Sequence, residues 1–238
     1  MKQVKLIKNN KGFSLIEFIV VIAIMSITVG ALSLSVSILT GSEAKKAFQK
    51  MEAVLDEART GSMTRFNETL TISYLTGDAS YDVATDTIVS SGDVDSDGYY
   101  AVLTMYAIKA AYSDAEKKHP VLDGSIEMAN KEYRRLADGR AKLAIECVDS
   151  TGVHKYEIGD SSSDYIKFEF DRSTGLYKQI TVKNGGSVKN IVYDSVARQF
   201  DVKDELSNVE VYITAHSGVR TYKMQLVGET GKHIRVND

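Results

Sequence analysis

Cysteine occurs once in the 238 residues, as Cys147, so no disulfide can form within the chain. A body working outside a membrane would fold without the staples common in secreted domains, as on a cell surface where oxidative folding is little used. A reduced interior gives the same count. Proline also occurs once, as Pro120. Acids are missing from residues 1–12, which hold Lys2, Lys5, Lys8 and Lys11. The remainder has 25 basic and 32 acidic residues, a net −7 against −3 for the whole chain. An acidic body has no general attraction for phosphates, so nucleic-acid binding is not the default reading.

Catalytic signatures are missing too. There is no G-x-S-x-G, P-loop or dinucleotide fingerprint, and "KNGG" at 183–186 reads as a hairpin turn. His119, His154, His216 and His233 have no metal-ligand spacing and no cysteine pair to support them. Cys147 sits in an apolar stretch, where an inert buried thiol is the usual outcome. No catalytic constellation emerges, and an enzyme is not expected.

What is present begins at the N-terminus. From Phe13 to Leu39 run 27 almost unbroken apolar residues. A secretory signal has a shorter apolar core, about 7–15 residues, followed by a small-residue cleavage site. Ser42-Glu43 makes no convincing one. As a helix the run would extend about 40 Å, enough to span a bilayer core about 30 Å thick. The four leader lysines favour keeping residues 1–12 in the cytoplasm and the body outside. Glu17 is the exception within the run. An acid in a spanning helix costs on the order of 3 kcal/mol when central, less near an end, and usually has a partner. A cut before Phe13 would supply one, a new α-amino group on a neighbouring subunit.

The stretch "KGFSLIE", Lys11 to Glu17, with the apolar "FIVVIAI" that follows, resembles the processing motif of type IV prepilins. The resemblance covers about residues 8–40. It implies cleavage after Gly12 by a prepilin peptidase, N-methylation of Phe13, and Glu17 as the acid that directs assembly. It also implies other pilin subunits, a platform protein and an assembly ATPase as partners. Many family members carry a proline within the apolar segment, and this chain does not. Gly30 and nearby Ser and Thr positions are the candidates to loosen the helix instead, since glycine costs about 1 kcal/mol relative to alanine there.

Beyond residue 41 the pattern becomes amphipathic. Ala44, Ala47, Phe48, Met51, Val54, Leu55 and Ala58 recur at three- and four-residue spacing, predicting a helix that continues from the apolar run and packs on its own domain. Residues 70–75 suit a strand, and residues 76–98, rich in Gly, Ser and Asp, read as a loop excursion. The spacing over Tyr99–Lys118 predicts a helix, with a second, short one over Glu127–Ala137. From Lys142 onward the pattern turns to strands: "LAIECV", "HKYEIG", "YIKFEF", "LYKQITV", "NIVYD", "VEVYITA" and "RTYKMQLV".

Within the loop excursion, Asp93, Asp95 and Asp97 followed by Gly98 match the opening of a calcium loop, in which alternate carboxylates converge on one hard cation. Position twelve is Thr104 rather than a glutamate, so a complete EF-hand is not expected. Asp82 or Asp86 could close the shell, and a solvated acidic turn is the plainer alternative.

Together these features predict an α+β, pilin-like fold: a long N-terminal helix, membrane-spanning in its first half, packed on a C-terminal antiparallel sheet. The expected organisation is a leader (1–12), an apolar assembly helix (13–40), its amphipathic continuation (41–65) and an extracytoplasmic body (66–238). The expected function is that of a filament subunit, leaning to a minor pilin. A secretion or competence pseudopilin and a major pilin are the alternatives. A membrane-anchored binding module that never polymerises comes from a different class.

Overall fold

The computed structural model describes the backbone of residues 15–64, 69–76, 80–82, 87–89, 94, 96–112, 120–161, 163–218 and 220–236. It describes their side chains except in 31–41, 80–82, 87–89, 107–112 and 120–129. Among the described residues, one helix, α1 (Leu15–Thr64), precedes fourteen strands. The first seven are β1 (Thr69–Leu75), β2 (Ser80–Asp82), β3 (Thr87–Val89), β4 (Gly98–Tyr112), β5 (Pro120–Ala137), β6 (Lys142–Asp149) and β7 (Gly152–Glu157). The others are β8 (Tyr165–Phe170), β9 (Tyr177–Asn184), β10 (Ser187–Asp194), β11 (Gln199–Val202), β12 (Leu206–Ser217), β13 (Arg220–Val227) and β14 (Lys232–Val236). The chain divides into two compact units, residues 1–39 and 40–238.

In the second unit every strand except β2 and β3 joins one 12-stranded sheet. All its pairings are antiparallel. Strand β12 is the joint. Val209 pairs with Phe200 of β11, and beyond it Glu210–His216 pair with β6 while Tyr212–Ser217 pair with β13. Strands β2 and β3 form a separate hairpin within the segment expected to be a loop.

The seven apolar positions of the amphipathic stretch, Ala44 to Ala58, are all buried, and six of them lie in one core with Leu70, Ile72, Ile145, Phe168, Ile180 and Ile213 of the sheet. A three- and four-residue spacing stacks those side chains on one helical face, and burying that face, rather than helix propensity, holds this half of α1 in place. Charged pairs flank the stripe. Arg134 of β5 forks onto Glu57 (Nη2–Oε1 2.8 Å), and Arg235 of β14 forks onto Glu52 (Nε–Oε1 2.6 Å). Lys50 and Arg59 donate to the carbonyls of Arg135 (2.9 Å) and Gly175 (3.2 Å).

Two expectations are overturned. Residues 99–112 and 127–137 are not helical: strands β4 and β5 pair antiparallel over their length, and residues 113–118 of the expected helix lie outside the described residues. Strand β4 lies between β1 and β5, and over Tyr99–Thr104 both its faces are covered. Tyr99, Ala101 and Leu103 enter the main core, while Tyr100 and Val102 enter a second cluster with Leu75 and Val94. A strand buried on both sides loses its period-two signature and reads as a continuous apolar run, which a short helix can imitate. In β5 the register shifts opposite Tyr99/Tyr100 and Met105/Tyr106, and such irregularities erase the alternation that would have marked it.

Candidate processing and assembly segment

Gly12 and Phe13, the expected cleavage and methylation residues, lie outside the described residues. Glu17 occupies the first turn of α1, where the exposed helix N–H groups favour an acid, and its side chain is exposed. The residues around it are apolar and equally open. Leu15, Phe18 and Ile27 are 81%, 63% and 72% exposed, and even the least open of the large ones, Val21, is 45% exposed. A helix that is apolar all round is found in a core or in lipid, so this surface calls for cover from other molecules.

The hydroxyls in that stretch are satisfied within the helix. Ser26 donates to the carbonyl of Ile22 (2.8 Å), and Thr28 reaches those of Ile24 and Met25 (3.0 and 2.9 Å). No solvent partner is needed, as a hydrocarbon or helix-lined setting requires. The helix continues through Gly30, where an added methyl group would meet nothing within 4 Å. Among the described residues no helix is long and apolar enough to cross a membrane. Side chains of the apolar run are described only for residues 15–30.

Asp93 and Asp95 of the calcium motif lie outside the described residues. Asp97 is exposed just before β4, and its carbonyl accepts a hydrogen bond from Nη2 of Arg135 (3.1 Å). Among the described residues no three His, Cys, Asp or Glu side chains could hold a metal ion. His154 lies 3.5 Å from Asp149, and His233 lies 4.0 Å from Asp56. His216 is on β12, and His119 is outside the described residues. Cys147 is buried on β6, and that burial pushes its thiol up to about 12, consistent with an inert core residue.

A polar node in the body joins Tyr99, Lys142 and Asp160. The Lys142 ammonium lies 2.5 and 2.6 Å from the two Asp160 oxygens, and the Tyr99 hydroxyl donates to Oδ1 at 2.8 Å. Lys142 first and Tyr99 second hold the Asp160 carboxyl below its usual range, while burial raises the Tyr99 hydroxyl. This pins the start of β6 and Tyr99 of β4 to the loop after β7. The forks of Glu52 and Glu57 had no signal in the sequence, because their arginines are 183 and 77 positions away.

Residues 7–33 match the family model described as the prokaryotic N-terminal methylation motif. The chain thus carries the type IV prepilin-like signal, which supports a type IV pilin-like or pseudopilin precursor processed by a prepilin peptidase and assembled with other pilins. No curated protein and no solved structure matches the chain significantly.

Proposed function

We propose that the chain is a structural subunit of a type IV pilus or pilus-like filament, made as a prepilin, cut after Gly12 and assembled through its N-terminal helix. One observation carries the reading: the methylation motif on residues 7–33 leads directly into a helix with Glu17 in its first turn and apolar residues exposed on all sides. Before assembly the run from Phe13 to Leu39 spans the cytoplasmic membrane with the body outside. Cleavage then frees the α-amino group of Phe13. In the filament the helix exchanges lipid for neighbouring helices, two surroundings of similar polarity, so apolar contact alone gives the transfer little direction. The ammonium of Phe13 on one subunit and the carboxylate of Glu17 on the next supply that direction, since each satisfies the other away from water.

The strand-rich body after α1 favours a minor pilin over a compact major one. Secretion and competence pseudopilins and major pilins share the same mechanism and remain the alternatives. The binding module that never polymerises is disfavoured because a mere anchor gains nothing from Glu17. Deleting the prepilin peptidase tests the reading. The protein should gain the mass of residues 1–12, stay in the membrane and disappear from sheared surface filaments. Unchanged mass and surface recovery would refute it.

A further inference from the structure

A cleft lies between the amphipathic half of α1 and the β13–β14 edge of the sheet, with a volume of about 140 Å³. Phe48 and Tyr222 form its walls, their ring centroids 5.9 Å apart. Its charged residues are Lys45, Lys223 and Arg235, with no acid among the lining side chains. Arg235 commits Nε and Nη2 to Glu52, and Lys223 reaches Glu146 at 2.9 Å. Lys45 is exposed and has no ion-pair partner among the described residues. Two of the three cations are thus fixed in position by their own acids, and the third supplies uncompensated charge. Such a cleft suits a carboxylate side chain, which two fixed cations orient and Lys45 neutralises.

The same chain carries a segment of opposite sign. Residues 76–98 contain six aspartates, Asp78, Asp82, Asp86, Asp93, Asp95 and Asp97, and no lysine or arginine. We propose that the cleft at Lys45, Lys223 and Arg235 receives the acidic 76–98 segment of a second copy of this chain. The two surfaces differ, so the contact is heterologous, the kind that propagates into an open filament rather than closing a dimer. The proposal rests on the filament reading and adds to it a body-to-body contact outside the N-terminal helix. It also makes the chain a subunit that follows itself along the filament.

The test uses the full chain in cells with its assembly partners, in chelator so that calcium does not mask the aspartates. Lys45→Glu should lower incorporation into sheared filaments about tenfold while leaving processing intact, because it sets like charges against each other in the contact. Replacing Asp78, Asp82 and Asp86 together by Lys in the same chain should restore incorporation to within about twofold of wild type, as charge exchange across one contact does. Assembly of Lys45→Glu at the wild-type level, or no recovery on charge exchange, overturns the proposal. A photoreactive phenylalanine analogue at position 49, on the cleft lining, gives a second readout in both membrane and filament fractions. It should capture peptides from 76–98 of another copy. Capture of lipid or of another protein instead overturns the proposal. The filament reading is judged separately, by whether the wild-type chain reaches the sheared fraction at all.

Discussion

Arg235, on β14, forks onto Glu52 in the C-terminal half of α1, with Nε–Oε1 at 2.6 Å and Nη2–Oε2 at 2.5 Å. The glutamate side chain is only 13% exposed, whereas the arginine is 59% exposed and lies 6.0 Å from the centre of the Phe48 ring. The pair closes the body by joining its helix to its final strand. Arg134 and Glu57 do the same from the β5 side.

That closure predicts a measurable coupling. In thermal or denaturant unfolding of the full chain in detergent, Glu52→Gln and Arg235→Ala should each destabilise. A double-mutant cycle should show a favourable, non-additive coupling, kept modest by solvent at the exposed arginine. Additive effects would show that the fork contributes nothing beyond packing on Phe48.

Acid should weaken the body through its turns. Hydrogen bonds from Ser173 and Thr174, between β8 and β9, hold the Asp171 carboxyl at about 2. An ordinary aspartate in the unfolded chain titrates near about 3.9. The folded value is the lower one, so the stabilisation is present above about pH 4 and is lost as pH falls toward 2. Asp171→Asn should flatten the stability profile in that window and leave its slope above pH 5 unchanged. An unaltered profile between pH 4 and 2 would remove Asp171 from the account.

If Asp93, Asp95 and Asp97 bind calcium, the folded chain should melt higher in millimolar calcium than in chelator, by mass action on the native state. Asp95→Ala should abolish the difference. Equal melting temperatures would leave only an acidic turn.

Much of this architecture was legible because it rests on local patterns. The stripe from Ala44 to Ala58 announced the packed half of α1, and alternation such as Tyr165–Phe170 announced strands with one face inside. The short strand Gln199–Val202, with only four residues, presents too few alternations to register in the sequence. Lys232–Val236 fails to register for another reason, since it is an edge strand with Ile234 57% exposed and no buried face to mark it. The β4–β5 hairpin reads as helical in the sequence because Tyr99 to Thr104 are buried on both faces. At the N-terminus, order and spacing carry the signal, so the motif on residues 7–33 is readable without a fold. The cleft around Lys45 is not, because it is assembled from residues about 190 positions apart.

Glu17→Ala should make the monomer a better membrane protein and a poorer filament subunit. Removing one member of a buried charge pair costs about 3–5 kcal/mol, ample to shift an assembly equilibrium. Cleavage should persist, because Gly12 and the scissile bond are unchanged. The comparison is of membrane and sheared-filament fractions in cells that also make the wild-type partners. A cleaved Glu17→Ala chain in filaments at the wild-type level would rule out the pairing with Phe13.

The central claim, that the chain is a prepilin matured for filament assembly, is tested most directly by mass spectrometry of the N-terminal peptide from surface-exposed protein. The expected peptide begins at Phe13 and carries one N-methyl group, and Gly12→Ala should leave residues 1–12 attached. Surface protein that still begins at Met1, or that is cut elsewhere and unmethylated, would contradict the claim.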